Sequence, residues 1–536
     1  MDPHTPESLT PAPLTLGAGD LTLDALDALL DRPLAPRVAP EALARVRRGR
    51  DWVEQITQRG GAVYGVNTGF GHLKNKRISA EQLGQLQENL LVSHAVGVGP
   101  PTPPGIVRWM LLFKTHMLLR GHSGVREEIV ERLVGWLNAD LCPVVPTRGS
   151  LGASGDLAPL AHLFLPLIGR GRALLPVRPV AGAASASPAW EELEGAEALR
   201  RIGQTPARLL AKEGLALVNG TQFMLAYASE IAVRARRLLD LADLALCMSL
   251  EGACGSVAPM QARLHALRPH PGAQRVAQNV LRHMAGSEVL KSHEHCDKVQ
   301  DPYSLRCAPQ AHGATRDAIT HFCEVVEREL SSVTDNPILF GHTDPETPAD
   351  ETPCAVSGGA FHGAPLALTL DYVAIALTDL ASISERRVYL LLSGEDGLPK
   401  LLMQDTGLNS GFMLPQYTAA ALLNECKVLA TPASVDSIPT SLGQEDHVSM
   451  GATSALKCYE IVDRVETVLA IEMLCAAQAM DYRDPLRPGA GPRAAREILR
   501  RHITHAEQDR EFGEDIRLAI WLLRHDGGLR AVARGA

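Results

Sequence analysis

Residues 148–162 combine residue types that could carry out chemistry on the polypeptide backbone itself. Residues 152–155, with the sequence Gly-Ala-Ser-Gly, have almost no side-chain bulk, so one backbone amide can fold back onto the carbonyl group of a neighbouring residue. Asp156 is typical of a helix N-cap and Pro159 of a first helical turn, which would place the positive end of a helix beneath the turn. The segment could also be a packed turn or an anion-binding nest, and these interpretations remain open. A serine-nucleophile elbow is excluded, because G-x-S-x-G requires glycine where this sequence has Asp156.

Residues 152–162, Gly-Ala-Ser-Gly-Asp followed by Leu-Ala-Pro-Leu-Ala-His, resemble the self-processing segment of the aromatic amino acid ammonia-lyases. In that family the Ala-Ser-Gly tripeptide cyclises into a methylidene-imidazolone (MIO), a prosthetic group made from the backbone. The resemblance implies that the nitrogen of Gly155 attacks the carbonyl carbon of Ala153. Loss of water, including the hydroxyl group of Ser154, then leaves an exposed electrophilic methylidene. No exogenous cofactor is expected.

Further segments match the same family in the same order along nearly the whole chain, although each alone could be a capped turn: residues 62–71, 217–222, 300–307, 357–362 and 444–450. The resemblance is closest to the members that act on histidine. It implies a lyase that eliminates ammonia from L-histidine to give trans-urocanate, the first step of histidine breakdown. Two alternatives stay open: a 2,3-aminomutase or a lyase for tyrosine or phenylalanine, and an inactive helical scaffold.

The resemblance also implies roles for individual residues. Tyr64 removes the β-proton of the substrate, with Tyr303 as its helper or rival, and a tyrosine can act as a base only if positive potential lowers its pKa from about 10. Arg306 binds the substrate carboxylate as a two-pronged donor. The other substrate-binding residues are polar orienting groups or pocket walls, namely Asn219, Gln300, Phe361, His94 and Glu445.

Substrate choice is indicated by Ser93, His94 and Glu445. In the tyrosine-specific relatives a histidine stands one position earlier and is followed by leucine, and phenylalanine-specific relatives carry apolar residues there. Glu445 falls where phenylalanine-specific relatives usually carry glutamine. An imidazole has one donor and one acceptor nitrogen, and both need partners once they are buried. We therefore expect Glu445 to accept the N–H and His94 to serve the other nitrogen.

Three departures from the family pattern affect the surroundings of these residues. Ala360 stands where many relatives have asparagine, Ala308 and His312 replace a more usual glutamine and methionine, and residues 441–443 are Ser-Leu-Gly instead of Ser-Ala-Asn. None of them removes a group with an assigned chemical role. His312 is expected to be a surface histidine or one whose ring is bonded within the protein.

Composition narrows the possible partners. The net charge is −9, from 52 basic and 61 acidic residues without a basic block, so nothing indicates nucleic-acid binding. No uninterrupted apolar run is long enough to cross a bilayer, so no membrane association is expected. The ten cysteines form no C-x-x-C pair, and residues 293–296, His-Glu-His-Cys, lack the spacing of a metal site. We expect reduced thiols, no bound metal and a cytoplasmic location.

The elements that must position these residues are mostly helices. Hydrophobic residues make up 46% of the chain and aromatic residues only 4%, which favours a mainly α fold rich in leucine and alanine. Apolar periodicity predicts long helices over 222–253, 314–333, 362–393, 415–430 and 449–481. The resemblance implies the fumarase/aspartase-like superfamily, with a long central helix bundle, a mixed N-terminal domain and a homotetramer with shared sites.

Four regions follow along the chain. A flexible arm is predicted over 1–20, and an N-terminal domain carrying the prosthetic-group loop over 21–221. The long-helix bundle then covers 222–484, and a C-terminal helical tail covers 485–536. Within the N-terminal domain, the many Pro, Gly and Ser residues of 170–190 predict a surface loop.

Overall fold

The computed structural model describes residues 12–30, 32–59, 63, 65–68, 78–79, 82–177, 189–341 and 353–535, and its secondary structure is mainly helical. The helices are α1 (Leu23–Leu29), α2 (Pro40–Gln58), α3 (Leu83–His94), α4 (Pro104–Leu118), α5 (Glu127–Ala139), α6 (Leu157–Phe164), α7 (Gly195–Arg201), α8 (Glu213–Val218), α9 (Gln222–Gly252), α10 (Ala262–Ala266), α11 (Pro271–His283), α12 (Glu288–Ser292), α13 (Tyr303–Arg306), α14 (Ala308–Leu330), α15 (Ala364–Leu391), α16 (Met413–Leu429), α17 (Gly451–Asp481), α18 (Ala490–Arg500), α19 (Phe512–His525) and α20 (Gly527–Arg534). The strands are β1 (Ala12–Leu16), β2 (Leu34–Val38), β3 (Val98–Pro101), β4 (Cys142–Pro143), β5 (Pro146–Arg148), β6 (Arg172–Pro176), β7 (Trp190–Glu194), β8 (Ile338–Phe340) and β9 (Cys354–Val356). The predicted mainly α fold is confirmed.

The long helices lie where the apolar periodicity predicts them. α9 and α17 match the predicted ranges 222–253 and 449–481 to within two residues at each end. α14 differs, because it begins at Ala308, six residues before the predicted start. Its proline, Pro309, stands in the first turn, where a helix tolerates the missing N–H.

The strands form small sheets, and two of them occupy regions predicted as irregular. β1 pairs with β2 in parallel, so residues 12–16 are a strand, although they lie inside the predicted flexible arm. Burial of Ala12 and Leu16 stabilises this pairing. Residues 1–11 lie outside the described residues. In the predicted surface loop 170–190, β6 pairs antiparallel with β7, and β4 lies on the other side of β6. Each of these sheets has only two or three strands, which a sequence pattern signals weakly.

The chain divides into two compact units. Unit 1 contains Met1–Glu230, Glu324–Leu368 and Ala433–Leu456, and unit 2 contains Ile231–Cys323, Thr369–Pro432 and Lys457–Ala536. Unit 1 contains all the described strands. Its interior includes a cluster of buried apolar side chains from α2, α3, β8 and two turns, namely Trp52, Val53, Ile56, Val66, Leu83, Ala211 and Leu339.

Unit 2 is built from helices, and it contains a buried network of paired polar side chains. Arg387, fully buried on α15, binds Glu472 of α17 through two nitrogens, at 2.5 and 2.8 Å. Nδ1 of His312 lies 2.9 Å from Asp243, and Nε2 lies 3.2 Å from an Arg387 nitrogen. Arginine can only donate, so Nε2 accepts and Nδ1–H donates to Asp243. The expectation that the ring of His312 is bonded within the protein is confirmed.

Among the described residues, one helix is long and apolar enough to cross a membrane by length and composition alone. This is α15, Ala364–Leu391, whose most apolar window has a mean hydropathy of 1.6 and is 56% buried. The core helix of a soluble protein passes the same test, so the observation is weak evidence for a membrane span. α15 also carries the buried Arg387, which is bound to Glu472.

Candidate active site

The centre of the candidate site is a tight turn at residues 152–155. The backbone N–H of Gly155 donates to the carbonyl oxygen of Gly152 across 3.4 Å. Ser154 has φ +51°, and Gly152 and Gly155 have φ +89° and +79°, so three of the four residues adopt left-handed backbone conformations. Such a conformation is uncommon for a residue with a side chain, and it marks Ser154 as a strained position.

Gly155 packs directly against Gly220, which precedes α9. A Cβ atom at Gly155 would lie 2.1 Å from the carbonyl oxygen of Gly220, so no other residue fits there without moving the backbone. The N–H of Gly220 donates to the carbonyl oxygen of Ser154 at 3.3 Å, and the N–H of Asp156 donates to that of Gly220 at 2.8 Å. These bonds fix the backbone on both sides of Gly155.

Asp156 is fully buried and anchors the turn to a long helix. It stands at the N-cap position of α6, as predicted, but its side chain does not cap that helix. One carboxylate oxygen accepts from the N–H groups of Phe223 and Met224, at 3.1 and 3.0 Å in the first turn of α9, and the other accepts from Ser150 at 3.1 Å. Burial raises the pKa of Asp156 to about 7, while these donors favour the ionised form.

The segment before α17 lies on the other side of the turn. The N–H of Met450 donates to the carbonyl oxygen of Leu151 at 3.0 Å. A Cβ at Gly152 would lie 2.2 Å from the Ser449 hydroxyl oxygen, so a side chain is excluded at Gly152 as well. Met224 of α9 lies beside the glycines that precede α15 and begin α17, Gly363 and Gly451. The N-termini of α6, α9, α15 and α17 therefore meet around the turn, which gives it positive potential.

The buried carboxylate of Asp335 holds the side chain of Asn219. Its side-chain nitrogen donates to Asp335 at 3.3 Å and to the carbonyl oxygen of Asn336 at 2.7 Å. Lys212 neutralises the other oxygen of Asp335 at 2.7 Å, with both side chains fully buried. Because both N–H groups of the amide are used, the side-chain oxygen of Asn219 is the group left to face a ligand.

His94 and Glu445 come close enough to interact. Burial lowers the pKa of His94, whereas the carbonyl group of Leu90 and the negative charge of Glu445 raise it. Nδ1 of His94 lies 3.0 Å from the hydroxyl group of Ser93. A turn holds Glu445 in place, because Thr440 donates to its carboxylate at 2.9 Å. The two residues predicted to bind an imidazole thus both lie in unit 1.

Phe361 lies in the turn before α15, next to the histidine that joins this turn to the Glu445 segment. Nε2 of His362 lies 3.3 Å from the carbonyl oxygen of His447, and the two imidazole rings are parallel with centroids 5.9 Å apart. Phe361 and Glu445 are therefore carried by two connected segments of unit 1.

The remaining site residues form a second group in unit 2. Gln300 and Tyr303 are exposed, and the guanidinium carbon of Arg306 lies 4.4 Å from the centroid of the Tyr303 ring. Nε of Arg306 donates to the carbonyl oxygen of Asp301 at 2.9 Å. No described residue accepts from the two terminal nitrogens of Arg306, so they can bind a carboxylate. Tyr64 lies outside the described residues.

The structure adds buried charged residues that sequence reasoning missed. Lys114, Lys212 and Asp335 are fully buried near Asn219. Lys114 could have been noticed as the one lysine or arginine in the mostly apolar stretch 109–118, because a buried charge requires partners. Within the described ranges, no group of three or more His, Cys, Asp or Glu side chains is arranged to hold a metal ion.

The chain matches known proteins over nearly its whole length. Residues 21–501 match the family described as aromatic amino acid lyase. Histidine ammonia-lyase from Gloeobacter violaceus is 48% identical, covering 97% of each chain. The crystal structure of histidine ammonia-lyase from Trypanosoma cruzi matches with a TM-score of 0.86 and 38% identity, over 98% of this chain and 95% of that one. Tyrosine aminomutase from Streptomyces globisporus matches with a TM-score of 0.86 and 34% identity, over 98% and 99%. The chain therefore belongs to the aromatic amino acid lyase family, which has the fumarase/aspartase-like helical fold.

Proposed function

We propose that the protein is a carbon–nitrogen lyase that eliminates ammonia from L-histidine to give trans-urocanate, the first step of histidine breakdown. The turn at residues 152–155 carries the proposal, because a strained serine lies between two glycines that tolerate no side chain. The relatives named histidine ammonia-lyase, at 44–49% identity, support histidine as the substrate.

Residues Ala153, Ser154 and Gly155 fit the methylidene-imidazolone (MIO) as a prosthetic group made from the chain. The N–H of Gly155 already points inward across the turn, and the lack of a side chain at Gly152 and Gly155 lets the backbone adopt this tight turn against Ser449 and Gly220. When formed, the group supplies an electrophilic methylidene that captures the substrate and turns its amine into a leaving group. The helix N-termini around the turn favour negative charge at this place.

The candidate site residues have distinct proposed roles. Arg306 binds the substrate carboxylate through its two terminal nitrogens, and Tyr64 removes the β-proton with Tyr303 as its helper or rival. The polar groups of Asn219 and Gln300 orient the substrate. Phe361 forms a wall of the pocket.

Histidine specificity is proposed to come from Glu445 together with His94, and the Glu445→Gln variant tests it. A carboxylate accepts the imidazole N–H more strongly than an amide does, and a phenyl ring would leave Glu445 desolvated without a partner. We expect the kcat/KM for histidine to fall by about 10²-fold. We expect the double variant with His94→Leu to gain activity on phenylalanine relative to histidine.

The matched control is Glu324→Gln, which removes an exposed carboxylate from α14, and its kcat/KM should equal that of the wild-type protein. Undiminished histidine turnover in Glu445→Gln contradicts the assignment of Glu445. Turnover by the wild-type protein is measured separately on histidine, tyrosine and phenylalanine by the ultraviolet absorbance of the conjugated product. Faster deamination of tyrosine or phenylalanine, or formation of a β-amino acid, would replace the proposed function with one of the alternatives.

We propose a homotetramer in which each site uses residues from more than one chain. α15 and α16 expose large apolar side chains that a partner would cover, namely Leu368, Tyr372, Ile375, Leu414, Tyr417 and Val428. Light scattering should give four chain masses. Co-expression of the Ser154→Ala and Arg306→Gln chains should restore activity that neither variant has alone, because one chain then supplies what the other lacks. A fully active monomer, or no restoration, is incompatible with shared sites.

A cytoplasmic location is proposed from the cysteines. None of the ten, all of which lie in the described ranges, forms a disulfide bond, and five of them are buried. Free thiols are the normal state in the reducing cytoplasm, where disulfide bonds are rare.

A further inference from the structure

A buried cation lies close to the Ala-Ser-Gly turn. Lys114, on α4, is fully buried within an apolar run. Its ammonium group donates to the carbonyl oxygen of Ala216, at 3.1 Å, and to that of Asn219. Both carbonyls belong to the C-terminal end of α8, where the last carbonyl groups lack partners within the helix. Lys114 therefore caps α8 with a positive charge.

The peptide group between Asn219 and Gly220 connects this cation to the turn. Its oxygen accepts from Lys114, and its N–H donates to the carbonyl oxygen of Ser154 at 3.3 Å. A peptide group whose oxygen is hydrogen-bonded is polarised, and it becomes a stronger donor at its nitrogen. The charge of Lys114 thus acts on the carbonyl oxygen of Ser154 through one intervening peptide group.

If the turn cyclises, a step that rests on the proposed function, negative charge gathers on the carbonyl oxygen of Ser154. The nitrogen of Gly155 belongs to the same peptide group as this oxygen, so loss of the Gly155 amide proton places charge on it. The nitrogen then forms a bond to the carbonyl carbon of Ala153. One water molecule leaves with the Ala153 oxygen and the amide hydrogens of Ser154 and Gly155. A second leaves with the hydroxyl group and the α-hydrogen of Ser154, so no oxidant is required.

We propose that Lys114 is a positioning residue for the maturation of the turn. Acting through the peptide group between Asn219 and Gly220, it stabilises the negative charge on the carbonyl oxygen of Ser154 and so accelerates cyclisation. Lys114 contacts neither the reacting atoms nor any residue assigned to the substrate except through the backbone carbonyl of Asn219.

The charges around Lys114 are arranged to keep a cation in the core. Burial lowers its pKa to about 7, and the neighbouring Lys212 acts in the same direction, but the carboxylates of Asp335 and Asp156 oppose both. Asp335 is paired with Lys212 at 2.7 Å. Two lysines thus face two carboxylates, which reduces the large cost of burying an isolated charge.

Three substitutions separate the charge of Lys114 from its volume. Lys114→Met removes the charge and the donor, Lys114→Gln keeps a donor without charge, and Lys114→Arg keeps both. Each full-length chain is made by cell-free synthesis. Mass spectrometry then follows the peptide of residues 149–170, which becomes lighter by two water molecules on maturation. Circular dichroism and thermal unfolding establish that each variant is folded.

We expect the Met and Gln variants to lose water at least about tenfold more slowly than the wild-type chain, because they lack the stabilising charge. The Arg variant should mature within a few-fold of the wild-type rate. Lys427→Met, an exposed lysine on α16, is the matched control and should mature normally. A merely structural role for Lys114 would change the unfolding temperature without separating Arg from Gln.

Folded Met or Gln variants that lose water at the wild-type rate overturn the proposal. If the Met variant does not fold, equal rates of water loss in the Gln and Arg variants also overturn the proposal. If the Gln variant is also unfolded, a folded Arg variant that fails to mature overturns it. A wild-type chain that never loses water refutes the proposed function instead, and the mass calculated from the sequence of residues 149–170 is the reference for the unmodified peptide.

Discussion

The Ser154→Ala variant should fold like the wild-type protein and lose activity by at least about 10³-fold, the largest effect that we expect. In the part of the chain that the structure describes, no residue forms a hydrogen bond with the Ser154 hydroxyl group, so its loss leaves the packing unchanged. On the proposed chemistry, formation of the methylidene, in contrast, needs that hydroxyl as a leaving group. Without it the electrophilic methylidene cannot form, and the substrate amine remains a poor leaving group.

Three measurements on one preparation test the Ser154→Ala prediction: circular dichroism for the fold, the mass of the peptide 149–170, and turnover of histidine. Ser332→Ala removes a hydroxyl group that bonds only to a carbonyl in α14, and it should match the wild-type protein in all three. Near-normal turnover by Ser154→Ala with an unmodified peptide would remove the prosthetic group from the mechanism.

The second large effect is expected for Arg306→Gln, whose kcat/KM for histidine should fall by about 10²–10³-fold. The guanidinium group is fixed at Nε by the carbonyl of Asp301 and against the ring of Tyr303, so its terminal nitrogens are pre-organised for a carboxylate. The loss should appear mainly in KM, because the carboxylate is bound in both the ground state and the transition state.

Arg306→Lys should recover only part of the loss, because an ammonium group cannot donate two parallel hydrogen bonds. The matched control is Arg328→Gln on the exposed face of α14, with unchanged kinetics. An unchanged KM for histidine in Arg306→Gln would show that another group binds the carboxylate.

The long helices could be predicted from sequence because their apolar residues repeat with the helical period over many turns. That signal places α9 and α17 to within two residues. Short elements lack it. The strand β1 contains Pro13, and its partner β2 contains Pro36, two residues that count against a strand except in small or edge pairings. Tertiary burial of Leu16 decided the conformation there.

The sequence predicts the residue types of the candidate site but not the contacts that hold them. The roles of residues 153–155 and the pairing of His94 with Glu445 stay predictions, and the charge of Glu445 acts on the pKa of His94. It also predicts Asp156 at a helix start, but not that the carboxylate binds α9 instead of its own helix. The partners of Lys114 could not be predicted for the same reason: a pairing between distant segments leaves no periodic pattern in the sequence.

Because maturation requires the contact between Gly155 and Gly220, the covalent change in the turn records that a chain has folded. These glycines are far apart in sequence, so the Ser154 oxygen can meet the N–H of Gly220 only in the folded chain. On the proposed chemistry, the water lost at that moment does not return when the chain later unfolds, because the new bond is covalent. The dehydrated fraction of a fully denatured sample therefore counts the molecules that have reached the native state at least once. A chain that aggregated during synthesis, before this contact formed, still carries the unmodified peptide.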